Sequence, residues 1–269
     1  VLGPVRCESL REALRWIAER LGTVRDLDVF IANLREQAAH LNEGASIVEM
    51  LAAELMERRK PQRAALVSAL SSRRFGLLMR RLRALAASQP PRFPRGSQGI
   101  PVSGAAPALL RRAQKRVLTL GRTVGIETPA ADLHRLRILF KRLRYACEFF
   151  REAFADPGIG RDPVADYIEA MVRFQDCLGE HQDAVVAIGR IQELAREMVQ
   201  RGTLSPDQLL HLGGLIQVQR EIVRQRRGLL LALWKQFDKR SVRGRLTGLQ
   251  ARPAPAADAS PPTTREAAA

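Results

Sequence analysis

Twelve residues, His134 to Tyr145, hold one histidine, five Arg or Lys side chains and a tyrosine. At about 100° per residue on a helix, His134, Arg137, Lys141 and Arg144 fall within an arc of roughly 80°. Leu136, Leu139, Phe140, Leu143, Cys147 and Phe150 gather on a different arc, suited to a core, with Tyr145 and Glu148 bordering the basic stripe. No acid occurs between Asp132 and Glu148. Like charges one turn apart on a helix cost a few tenths of a kcal/mol per pair, so the stripe calls for an external anion. A row of phosphates fits: arginine offers a fork of donors, lysine a mobile point charge, and the histidine and tyrosine further N–H and O–H donors. From His134 to Arg144 the stripe runs about 15 Å at about 1.5 Å per residue.

Other segments add cations. Arg73, Arg74, Arg80, Arg81 and Arg83 crowd one helical stretch, while Arg224, Arg226, Arg227 and Lys235 occupy another. Arg111, Lys115 and Arg122 line a third face, opposite Leu110, Ala113 and Val117, and read as a solvated surface. Over the 269 residues, 44 Lys and Arg stand against 28 Asp and Glu, a formal charge of +16 and a pI near 11.2. That excess points to an anionic partner, although Arg- and Ala-rich usage raises the total by itself.

The elements that must carry these side chains are helical. Hydrophobic residues make up 46% of the chain and aromatics only 5%, and apolar residues recur at three- and four-residue spacing without strand alternation. The periodicity predicts an all-α fold with helices near 8–20, 25–40, 45–59, 62–87, 105–124, 131–154, 163–178, 181–201 and 206–238. Pro61 and Pro206 suit helix starts, where a missing N–H costs little. The Pro-, Gly- and Ser-rich stretch 88–107 reads as a connector, and residues 251–269 as a disordered tail.

An internal duplication is visible. "LGTVRDLDVF" (21–30) aligns with "LGEHQDAVVA" (178–187), and "RRFGLLMRRLRAL" (73–85) with "RRGLLLALWKQF" (226–237). The repeat divides the chain into a first half at 1–88, a connector at 89–107 and a second half at 108–250. The Leu-Gly…Asp pattern predicts helix junctions, glycine ending one helix and Asp26, Asp28 or Asp183 capping the next. The offset of 157 between Asp26 and Asp183 puts the counterpart of His134 at position −23, so the first half is expected to lack a His-bearing helix.

Competing chemistries fare worse. Phosphoryl transfer needs metal-holding carboxylates and a positioned nucleophile, and the stripe has neither, so no catalytic residue is expected. His40, His134, His181 and His211 are too far apart for a zinc site, and no cofactor signature occurs. Cys7, Cys147 and Cys177 lack metal spacing and read as reduced thiols of a cytoplasm. No stretch approaches about 18 consecutive apolar residues, so no membrane span is expected. Nucleic acid is the competing polyanion, but base stacking needs exposed aromatics, and the aromatics here mostly occupy core-periodic places.

His134, Arg137, Lys141, Arg142, Arg144 and Tyr145 match the H-x-x-R-x-x-x-K-R-x-R-Y pattern of the CHAD domain, the conserved histidine α-helical domain. The chain resembles that family over about 6–240. The resemblance implies two four-helix bundles related by a pseudo-twofold axis, a basic groove that binds long-chain inorganic polyphosphate, and association with polyphosphate granules. It assigns His134, Arg137, Lys141, Arg142, Arg144 and Tyr145 to that groove. Arg73, Arg74, Arg80, Arg81, Arg226, Arg227 and Lys235 are further candidates by charge and repeat symmetry. The family often accompanies triphosphate-hydrolysing domains, so an accessory role beside a phosphate-metabolising enzyme is a further alternative.

Overall fold

The computed structural model describes residues 4–38, 45–88, 102–151 and 163–244. The long helices are α1 (Pro4–Ala38), α2 (Ala45–Leu70), α3 (Arg73–Ala87), α4 (Val102–Gly121), α5 (Ala130–Phe150), α6 (Pro163–Gln200) and α7 (Pro206–Phe237), with a short helical segment at 240–244. The described residues contain no strand, as the three- and four-residue periodicity requires.

Three expected helix boundaries are absent. α1 runs unbroken through Gly22 and α6 through Gly179, so the Leu-Gly…Asp segments are helix interiors rather than junctions. Asp26, Asp28 and Asp183 therefore do not cap helix starts; Asp28 instead pairs with Arg59 of α2. α2 continues past Pro61, and the break falls at residues 71–72, where the Ser72 hydroxyl accepts from the Phe75 N–H at 3.2 Å and starts α3. An internal proline costs about 3 kcal/mol of helix stability. Packing on both sides of it offsets that cost: Leu51, Ala52 and Leu55 before Pro61 lie in one core and Ala69 after it in another. Pro206 does open α7. α4 begins at Val102, three residues before its expected start at 105 and inside the stretch read as a connector; the rest of the connector and the tail 251–269 lie outside the described residues.

Packing divides the chain into two units, Val1–Gln98 with Asp183–Arg224, and Gly99–Gln182 with Gln225–Ala269. The boundaries fall inside α6 and α7, so residues 183–224, placed by the repeat in the second half, pack with the first. The reason is helix length: α6 and α7 are each long enough to contribute apolar faces to two cores.

In the first unit, α1, α2 and the 183–224 segment share a core of Phe30, Leu34, Val48, Leu51, Ile191 and Leu212. Ile17, Ala69 and Leu78 form a smaller cluster of α1, α2 and α3. Arg58 bridges Glu54 and Glu197, Arg201 joins Glu54, and Arg35 holds Glu49, so several of this unit's cations are neutralised internally.

The second unit has the larger core, drawn from α4, α5, the N-terminal part of α6 and the C-terminal part of α7. Phe140 of α5 is at its centre, stacked on Phe174 at 4.5 Å between centroids and edge-on to Phe237 at 5.0 Å. Tyr167 is fully buried and its hydroxyl accepts from the Gln114 amide at 3.1 Å, which satisfies a polar tip that burial would otherwise penalise. Gly121 ends α4 against the Trp234 ring, where any Cβ would overlap the indole.

Candidate functional site

α5 splits into two faces. Leu133, Leu136, Phe140, Leu143 and Cys147 are buried, at the i, i+3, i+7, i+10, i+14 spacing of a core stripe, with Leu139 and Phe150 packed beside them. Burial pushes the Cys147 thiol up to about 12, so it stays protonated and inert. Anchoring one face fixes the helix rotation, and the rotation presents His134, Arg137, Lys141 and Arg144 as half-buried side chains, with Arg142 and Tyr145 exposed.

Neutralisation along this helix is uneven. Arg135 pairs with Asp132 at 3.1 Å, and Arg144 reaches Glu148 at 3.5 Å while its guanidinium lies over the Tyr145 ring at 5.0 Å. Glu148 therefore serves one end of the stripe, which the bare acid count between Asp132 and Glu148 understates. Between the ends, Arg137, Lys141 and Arg142 have no carboxylate partner among the described residues. Nδ1 of His134 is buried and without a hydrogen-bond partner there.

Three consecutive residues of α6 receive side chains from the helices around it. The Arg137 guanidinium lies beside Gly179, where an added Cβ would sit in ordinary contact, 3.7 Å from Nε and Nη2. Glu180 pairs with Arg226 of α7. Nε of Arg227 donates to Nε2 of His181 at 3.4 Å, and its Nη1 donates to the Ile126 carbonyl at 2.7 Å. His181 is 0% exposed, and burial together with the neighbouring Arg227 charge depresses its pKa to about 4. Gly179, Glu180 and His181 belong to the "LGEHQD" segment, which the sequence marks only as a repeat element. Their partners are distant in sequence and converge only through packing.

The remaining candidates are distributed as follows. Lys235 is exposed in the last turn of α7, where a cation suits the helix dipole. Arg73, Arg74, Arg80 and Arg81 are exposed on α3 in the first unit, whereas the α5 and α7 candidates belong to the second. Arg74 stacks over Trp16 at 4.3 Å and Arg81 donates to the Ser9 hydroxyl at 3.2 Å, so both have local roles. A cavity of about 340 Å³ in the first unit is lined by Asp26, Arg58, Gln62, Arg190 and Glu193 among others, and takes in none of the residues predicted to bind the anion. Among the described residues, no group of three His, Cys, Asp or Glu could hold a metal, and no helix is long and apolar enough to cross a membrane.

Comparison with known proteins follows the same lines as the helical pattern. Residues 1–192 match the family described as the CHAD domain. Among solved structures, the CHAD domain from the plant Ricinus communis is 25% identical, with a TM-score of 0.55 over 94% of this chain and 74% of that one. PptA from Streptomyces chartreusis superposes with a TM-score of 0.66 at 21% identity, over 87% of this chain and 82% of that one, a likeness of fold. No curated protein matches the chain.

Proposed function

We propose that this chain, which belongs to the CHAD domain family, binds long-chain inorganic polyphosphate through the basic face of α5. It acts as a binding module rather than an enzyme, serving association with polyphosphate granules or regulation of a phosphate-metabolising partner. The observation that carries the reading is that Arg137 and Lys141 are half-buried, one helical turn apart, and without a carboxylate partner among the described residues. Half-burial restricts the two side chains before any ligand arrives, which lowers the ordering cost of binding. An anion with charge spaced evenly along a flexible chain satisfies both at once.

One observation favours a second reading, single-stranded nucleic acid. Tyr145 is 52% exposed and Phe149 78% exposed, one turn apart at the end of the same helix, where they offer faces for base stacking. Polyphosphate remains the better fit because the unneutralised cations need only phosphates, and Arg144 already covers the Tyr145 ring.

Titration with long-chain polyphosphate at several salt concentrations tests the proposal. Three neutralised contacts, at Arg137, Lys141 and Arg142, give a slope of log affinity against log salt near about −2 by analogy with single-stranded polyanions. Affinity should then fall roughly 20-fold between about 0.05 and 0.2 M salt. A salt-independent affinity, or no binding at low salt, would refute the reading.

A further inference from the structure

Arg226 and Arg227 are neighbours in sequence and opposite in electrostatic state. Arg226 is held by the Glu180 carboxylate, so its charge is spent inside the protein. Arg227 is held instead by two neutral acceptors, closely by the carbonyl oxygen of Ile126 and at longer range by the imidazole Nε2 of His181. A guanidinium has five N–H donors. Nε–H and one N–H on Nη1 are engaged, leaving about three N–H groups and an undiminished positive charge for an anion.

We propose that His181 is a positioning residue that fixes Arg227 as a preorganised donor for one phosphate-type anion, beside the segment that leads into α5. Both acceptors are themselves fixed. Ile126 sits in a closed turn in which the Gly125 N–H donates to Thr128 Oγ1 at 2.7 Å and the Thr128 N–H to the Gly125 carbonyl at 3.2 Å. That turn runs directly into Pro129 and the first residue of α5. His181 is fully buried in α6, so its ring is held by packing and cannot follow a moving partner. The depressed pKa keeps the imidazole neutral at ordinary pH, and only the neutral ring can accept at Nε2. The proton then resides on Nδ1, which is buried and has no hydrogen-bond partner among the described residues, and the ring contributes an acceptor at Nε2 without cancelling charge. A carboxylate at position 181 would hold Arg227 equally well and neutralise it, as Glu180 does for Arg226. A buried neutral acceptor such as this histidine orients a guanidinium and leaves its charge available.

The idea that the anion is a polyphosphate rests on the function proposed above; the positioning of Arg227 does not. Four full-length proteins distinguish the two: wild type, His181→Leu, His181→Gln and Arg227→Ala. Glutamine is the conservative variant, since its amide oxygen can stand near the position of Nε2. Two readouts are needed. The first is affinity for long-chain polyphosphate. The second is the ¹H–¹⁵N signal of the Arg227 Nε–H, with and without inorganic phosphate.

His181→Leu should weaken polyphosphate binding about 3- to 10-fold, less than the loss of a whole charged hydrogen bond, because Arg227 keeps its charge and loses only its orientation. His181→Gln should recover most of that loss, and adding His181→Leu to Arg227→Ala should cost nothing more. Inorganic phosphate should shift the Arg227 Nε–H signal in wild type and His181→Gln, and leave it unshifted in His181→Leu. If wild type fails to bind polyphosphate while phosphate still shifts Arg227 in this His181-dependent way, the polyphosphate reading falls and the positioning stands. If phosphate leaves the wild-type Arg227 signal unmoved, or if His181→Leu and Arg227→Ala losses add, the positioning role is wrong. The glutamine variant and Arg227→Ala keep the test decisive should leucine at a buried site disturb folding.

Discussion

Replacing Arg137 and Lys141 together by alanine should lower affinity for long-chain polyphosphate at least ~10-fold while leaving far-UV helicity unchanged. Hydrogen bonds to charged groups contribute about 1.5–3 kcal/mol each when their partners are desolvated, and solvent at half-buried sites reduces that figure. Neither side chain has a carboxylate partner within the described structure, so no internal ion pair is lost with them. The comparison variant is Arg111→Ala with Lys115→Ala on α4. Those two side chains also lack a carboxylate partner among the described residues, but they are exposed rather than half-buried. Free, solvated side chains must be ordered on binding, which offsets much of their Coulomb gain. A larger loss from the α4 pair than from the α5 pair, measured by the same titration, would move the binding face off α5.

The largest effect on stability should come from Phe140→Ala, at about 3–5 kcal/mol. Phe140 is fully buried and touches two other aromatic rings, Phe174 of α6 and Phe237 of α7, so its removal opens a cavity where three helices meet. Phe140→Leu, which retains more of the volume, should cost clearly less. Phe140 also precedes Lys141 and lies one turn from both Arg137 and Arg144, so the same packing that stabilises the second unit sets the rotation of the basic face. Denaturant unfolding followed by circular dichroism measures the cost. A change under about 1 kcal/mol would mean that α5 is not seated in this core.

α5 was the most legible part of the chain because one strong periodicity governs it. Its core residues and its basic residues occupy separate arcs, and the structure buries the first set and half-buries most of the second. Legibility failed where local signals compete with tertiary packing. Gly22, Gly179 and Pro61 are ordinary helix punctuation, yet all three are internal to long helices whose flanking residues are pinned in cores. Gly179 also lies beside the Arg137 guanidinium, at a distance where an added Cβ would make ordinary contact. The discontinuous packing units could not be read from the repeat, since nothing local marks the points at which α6 and α7 pass from one core to another.

Among the candidate cations, charge alone treated all arginines alike. Contacts separate them: Arg74 stacks on Trp16, Arg226 pairs with Glu180, and Arg137 and Arg227 meet no carboxylate among the described residues. His181 was dismissed as a metal ligand on spacing and had no other signal, because its contact with Arg227 spans 46 residues. The exposed Phe149 departs from the expectation that most aromatics fill core positions, and together with Tyr145 at the border of the basic stripe it keeps nucleic acid in contention.

That contention makes a direct competition the most telling measurement. The protein is titrated with long-chain polyphosphate, single-stranded DNA and double-stranded DNA at about 0.15 M salt, where electrostatic screening extends about 8 Å. A polyphosphate-binding face predicts that polyphosphate binds tightest and displaces both DNAs. Equal or tighter binding of either DNA would contradict it.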